Sequence, residues 1–173
     1  MDFSSQIILE VTNFQNQLRR ELSNIPIRWV APETMHLTLQ FLGEVPQNQI
    51  PAIQEAISTS AAGFSAVPVH IGSIGSFPSF KKPQVLWLGL SSNQTLKKIA
   101  TQLQAALQPL GFKPEKEFMP HLTLGRLNKM ATREQQNLVS AVLARWQSVD
   151  IGQHRMREVI LCPTDLTQRG TIY

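Results

Sequence analysis

Cysteine is nearly missing from this chain: Cys162 is the only one in 173 residues. A lone thiol excludes an intrachain disulfide and leaves a cysteine-based metal site without ligands. A reducing cytoplasm suits that composition. Long apolar runs are also missing, and none approaches the length of a membrane span. Met1-Asp2-Phe3-Ser4-Ser5 lacks the basic start and apolar stretch of a secretory leader, so no membrane partner is expected. Charge is sparse, at 16% of residues, while 42% are hydrophobic, as in a globular protein. The length fits one domain, or two small lobes sharing a core. The net charge of +4 favours an anionic partner such as RNA or a nucleotide. The basic residues are scattered, and short clusters such as Arg19-Arg20, Lys81-Lys82 and Lys97-Lys98 read as solvated faces.

What the chain does have is a repeated tetrapeptide. His36-Leu37-Thr38-Leu39 returns as His121-Leu122-Thr123-Leu124. Alternation of apolar and polar residues at a period of two predicts a β-strand, on which residues i and i+2 share a face. Each copy sends a His and a Thr one way and two leucines into a core. The surroundings repeat as well. A helical stripe of Ile7, Val11, Phe14, Leu18 and Leu22 begins after a Ser4 or Ser5 cap. A short strand over 27–30 and a turn at Ala31-Pro32-Glu33 lead into the first His strand, over 35–42. A helix over 49–61, a strand over 67–74, a Gly75-to-Ser79 loop and a buried strand over 85–90 follow. The order then restarts. A helix is expected over 93–110, closed by Gly111, then a short strand from Phe112 and the second His strand over 118–127. Thr132 caps a helix to Trp146, with Glu134 in its first turn. Strands over 149–151 and 156–161 and a loop-like end complete the pattern. Short strands alternating with helices favour an α+β fold. We expect a single bilobal domain over 1–173, with halves 1–90 and 91–173 related by a pseudo-twofold axis. Each lobe would carry an antiparallel sheet with flanking helices, strands would be free to swap between lobes, and the active-site cleft would lie between them.

Two imidazoles can act in one reaction as general base and general acid, each worth roughly 10²–10⁴-fold in rate. Two Thr hydroxyls converging from opposite lobes can donate to the non-bridging oxygens of a phosphate. That set suits an in-line displacement at phosphorus and needs no metal. A single His in a strand is ordinarily a structural residue, and a single Thr a good strand former. Duplication at matching points of two half-chains is what favours function. Zinc is poorly served, because His70 and His154 stand at no ligand-like spacing to the pair and read as strand-end residues. Trp29, Trp87 and Trp146 read as core. Phe77, in its Gly-Ser-Phe-Pro setting, is a candidate for stacking on a base. Arg126 would face away from His121 by strict alternation, so reaching a substrate requires a bulge or a strand end there.

These residues resemble the two-histidine (2H) phosphoesterase superfamily, in its bacterial and archaeal branch of RNA 2′,3′-cyclic phosphodiesterases, also called 2′-5′ RNA ligases. The resemblance rests on the paired His-x-Thr-x motif and on several spaced stretches. These are Arg28-Trp29-Val30-x-Pro32-Glu33, Phe41-Leu42-Gly43, Gly75-Ser76-Phe77-Pro78, Val85-Leu86-Trp87-Leu88-Gly89, and Phe118-x-Pro120 running through the second motif to Gly125-Arg126. It implies a bilobal α+β enzyme without metal or other cofactor. The implied reaction opens an RNA 2′,3′-cyclic phosphate to a 2′-phosphate, with 2′-5′ ligation as the reverse displacement. His36 and His121 become the acid/base pair, and Thr38 and Thr123 the phosphate donors. Arg126, Phe77 and Phe118 are candidate substrate contacts. His121 is assigned to water activation and His36 to the departing O3′. The family opens with an extra strand before its first helix, whereas here a helix is expected almost from Met1. Gly170-Thr171-Ile172-Tyr173 stands where the family closes with Gly-Pro-x-Tyr. The expected molecule is a cytoplasmic monomer acting on an RNA end or nucleotide with a 2′,3′-cyclic phosphate. The competing readings are a non-catalytic nucleotide or RNA-end binding module, and a phosphodiesterase on another small cyclic phosphate or a 2′-5′ oligonucleotide.

Overall fold

The computed structural model describes residues 3–91, 94–114, 117–163, 165–167 and 170–172. It is an α+β fold: one five-stranded antiparallel sheet, four helices packed around it, and a separate two-stranded ladder. Helix α1 (Ser5–Glu21) begins where the stripe predicts, with the Ser4 hydroxyl accepting from the Ile7 amide at 3.4 Å. Ile7 to Val11 are helical, so no opening strand is formed from them. The buried face of α1 carries Ile7, Val11, Phe14 and Leu18. Strand β1 (Ile27–Trp29) follows, then α2 (Ile50–Ala61), β2 (Val67–Ser79), β3 (Lys82–Ser91) and α3 (Thr95–Leu107). The second half gives β4 (His121–Leu127), α4 (Arg133–Arg145) and β5 (Asp150–Met156). Thr132 caps α4 in a reciprocal box with Gln135, which satisfies two otherwise orphaned amides.

The strand order is β1-β4-β3-β2-β5. The sheet therefore interleaves the halves: β1 of the first pairs with β4 of the second, and β5 of the second pairs with β2 of the first. One face of β3 and β4 supplies the core. Leu86, Leu88, Leu122 and Leu124 are each no more than 1% exposed. Burial of that kind stabilises by about 1.5–3 kcal/mol per side chain.

Several strand expectations need correction. The first motif, expected as a strand over 35–42, forms none. A 3₁₀ turn over Pro32–Thr34 follows β1, and among the described residues no strand ladders with the motif. Its period of two survives in burial alone: Met35, Leu37 and Leu39 are buried, while His36, Thr38 and Gln40 are half-buried. The segment from Gly75 to Ser79, expected as a loop, is the end of a long β2, because its partner β3 extends the ladder to Lys82. Its glycine serves packing: a Cβ on Gly75 would lie 2.2 Å from the Trp87 indole, which crosses directly over it. Phe112 and Lys113 form no strand; of the strands expected over 149–151 and 156–161, the first is part of a longer β5 that ends at Met156, and residues 157–161 form no strand. The loop-like end holds β6 (Asp165–Thr167) and β7 (Gly170–Ile172), paired antiparallel. Asn93 and Tyr173 lie outside the described residues.

Candidate active site

His121 opens β4, opposite Gly89 of β3, and Thr123 stands opposite Trp87. Both side chains are half-buried, while Leu122 and Leu124 point into the core. The His121 Nδ1 lies 2.7 Å from the carbonyl oxygen of Met119, two residues earlier. A carbonyl only accepts, so Nδ1 carries the proton and Nε2 is the ring's basic nitrogen. The first motif repeats this bond. His36 Nδ1 donates to the Thr34 carbonyl at 2.9 Å, again two residues back. The two imidazoles thus share one local geometry and one tautomer, although one stands on a strand and the other does not.

Two hydrogen-bonded crossings bracket the motif segments. Before the first motif, the Val30 amide donates to the Leu124 carbonyl at 2.9 Å. After it, Gln40 Nε2 donates to the Lys113 carbonyl at 3.0 Å, upstream of the second motif. Leaving β1, the chain runs antiparallel to β4, toward the end of β4 that carries His121. Gln15 strengthens this junction. It is 1% exposed on α1, and its Nε2 donates to both Val30 O (2.7 Å) and Leu124 O (3.0 Å).

Leu124 is also the extra residue of a β-bulge. Leu86 pairs with Gly125 and Trp87 with Thr123, so one step on β3 matches two on β4. A bulge reverses the alternation beyond it. Gly125 and Leu127 accordingly turn into the core, and Arg126 is exposed on the side of His121 and Thr123. The requirement that sequence reading attached to Arg126 is met by this bulge. Gly125 suits the crowding, since a Cβ there would lie 2.8 Å from the Ile27 Cγ2 methyl.

Phe77 lies on β2 and packs edge-on against the His121 ring, with centroids 4.9 Å apart. Trp87 touches both, at 5.2 Å from Phe77 and 6.1 Å from His121. The indole read as core thus borders the imidazole. Phe118 is half-buried against the core. His70 bonds Asp150 Oδ1 at 2.9 Å, and the His154 ring lies 4.9 Å from that of Phe3. Among the described residues, no three His, Cys, Asp or Glu side chains gather closely enough to hold a metal. A cavity of about 710 Å³ opens beside the β5 edge, lined by Phe3, Pro68 and His154 among others. A second, of about 630 Å³, lies where β1 meets the far end of β4. Neither includes the motif imidazoles.

The sequence profile of LigT like phosphoesterases matches this chain twice, over residues 2–87 and 88–173. The chain belongs to the LigT-like phosphoesterase family. Relatives named RNA 2′,3′-cyclic phosphodiesterase support this assignment. That of Archaeoglobus fulgidus is 31% identical over 155 residues, covering 89% of this chain and 84% of its own. That of Methanothermobacter thermautotrophicus is 29% identical over 163 residues, covering 94% and 86%. Among solved structures, TT0787 of Thermus thermophilus superposes with a TM-score of 0.79 over 98% of this chain and 88% of its own, at 22% identity. Escherichia coli LigT complexed with 3′-AMP gives 0.62 over 76% and 73%, at 23% identity. These two likenesses concern the LigT-like fold. No helix among the described residues is long and apolar enough to cross a membrane.

Proposed function

We propose that this LigT-like chain opens RNA 2′,3′-cyclic phosphates to 2′-phosphates, with His36 and His121 as the acid/base pair and Thr38 and Thr123 as the phosphate grip. The observation that carries the reading is the matched pair of Nδ1–carbonyl bonds, which makes Nε2 the reactive nitrogen of both rings. His121 Nε2 takes a proton from water as its oxygen attacks phosphorus. The P–O3′ bond breaks, and protonated His36 gives its Nε2 proton to the departing O3′. The product carries a 2′-phosphate and a 3′-hydroxyl. Solvent restores both rings, because one ends with the proton the other has lost. Charge building on the non-bridging oxygens is met by the Thr38 and Thr123 hydroxyls. An RNA 5′-hydroxyl in place of the water forms a P–O5′ bond as the same P–O3′ bond breaks, and the product is a 2′-5′ phosphodiester with a free 3′-hydroxyl, the joining reaction. Phe77 and Trp87 hold the His121 ring between β2 and β3, so Phe77 acts here by positioning rather than by stacking on a base. Phe118 and Arg126 remain the candidate substrate contacts. In this reading residues 1–173 act as one bilobal domain with halves 1–90 and 91–173. The molecule works as a cytoplasmic monomer on an RNA end, a setting that suits the exposed Cys162 thiol.

Hydrolysis of a cyclic-ended RNA in the presence of EDTA tests the proposal. His36→Ala and His121→Ala should each lower kcat at least about 10²-fold. Hydrolysis unchanged in either variant would overturn the assignment. Tight binding of a 2′-phosphonucleotide without turnover would favour a binding module instead.

A further inference from the structure

The cavity at the far end of β4 has a composition that catalysis at the two motifs does not require. Its walls include Arg28, Arg126 and Lys129, with Gln84 and Asn128 as neutral polar neighbours and no acidic side chain. Arg28 and Arg126 are direct cross-strand partners of β1 and β4. Like charges placed opposite each other on a sheet repel, and a fold normally separates them or supplies an acid. Here neither happens. Among the described residues, none of the three cations makes an ion pair or hydrogen bond. All three are exposed. The Leu124 bulge is what puts Arg126 in this position, on the same side of the sheet as His121 and Thr123. From Thr123 to Arg126 the strand climbs about 10 Å, at about 3.3 Å per residue. That is too far for these cations to touch a phosphate held by Thr123, and near enough to meet the next phosphodiester of the same strand.

We infer that Arg28, Arg126 and Lys129 form a backbone-phosphate site for the RNA chain leading to the cyclic end. The preferred substrate is then an oligonucleotide rather than a cyclic mononucleotide. The inference rests on the proposed reading of His36 and His121 for the position of the cyclic end. The grip is electrostatic and indifferent to base identity, as contacts to phosphate are. The strand would run from the motif imidazoles along β4 toward Lys129, with the guanidinium pair straddling one phosphate and the Lys129 ammonium beside it.

The test compares wild type with Arg28→Gln/Lys129→Gln on two substrates, cytidine 2′,3′-cyclic phosphate and a short oligoribonucleotide ending in the same group. Both substituted side chains are exposed, and the single variants check that folding is intact. Binding of a fluorescein-labelled oligoribonucleotide ending in a 2′-phosphate, followed by anisotropy against salt, gives a readout independent of turnover. Wild type should favour the oligonucleotide in kcat/KM. The double variant should lose roughly tenfold or more of that advantage while still opening the mononucleotide. Its salt slope for oligonucleotide binding should fall by about 0.7 per lost contact. Lys97→Gln/Lys98→Gln, which removes the same charge from α3, should change neither. An advantage and slope untouched by the Arg28/Lys129 change, or equally reduced by the α3 change, would overturn the site while leaving the phosphodiesterase reading in place. Absence of turnover on both substrates, with salt-sensitive binding lost only in the double variant, would overturn the reaction and keep the site.

Discussion

His36 and His121 each bond the carbonyl two residues behind them, and this small device fixes which ring nitrogen carries the proton. The chemistry proposed at this scale comes from the residue types, since a duplicated His-x-Thr announces itself. The Nδ1 bonds were not, because a main-chain acceptor has no letter in the sequence. Phe77 shows the opposite limit. Gly, Ser and Pro around it suggested a loop, yet Gly75 is there because the Trp87 indole crosses it. Gly75→Ala should therefore push the indole off its seat and loosen the Phe77–Trp87–His121 contacts. The expected result is a fall in kcat of about tenfold, with the α-helical circular dichroism unchanged. A loss of stability on the order of 1–3 kcal/mol, as overpacking costs, should appear in urea unfolding.

Helices were read well from sequence, because a stripe of apolar residues at a 3.6 period and a capping Ser or Thr are local signals. Strands were read less well, because a strand exists only when a partner lies alongside. The first motif alternates as cleanly as the second and is no strand, while Gly75–Ser79 scarcely alternates and is one. The bulge in β4 belongs to the same class. Only pairing with β3 reveals the extra residue that turns Arg126 outward. Gln15 secures that irregularity from below by donating to Leu124 O and Val30 O. Gln15→Leu would leave buried carbonyl capacity unmet at the junction, at a cost of about 1–3 kcal/mol. It should lower the urea midpoint. It should also speed amide exchange at Val30, whose N–H shares the Leu124 acceptor.

The duplication of the whole chain was visible in the order of its elements, and the family profile matches each half separately. The interleaving was not visible, because no local pattern says which strand will lie beside β4. β1 and β3 both pair with β4, so neither half holds a closed sheet. Residues 1–90 produced alone should lack cooperative thermal unfolding, and mixing them with 91–173 should restore it; a cooperative transition in the isolated fragment would contradict this account. The three indoles are spread across this shared architecture in unlike company. Trp29 sits beneath the Arg19 guanidinium, Trp146 donates to Glu21, and Trp87 adjoins Phe77 and the His121 ring. Ultraviolet light absorbed by the molecule is thus re-emitted from three distinct posts, of which one overlooks the imidazole. On the proposed reading a nucleotide arriving beside that imidazole should alter the Trp87 emission, so its binding can be followed without an attached dye.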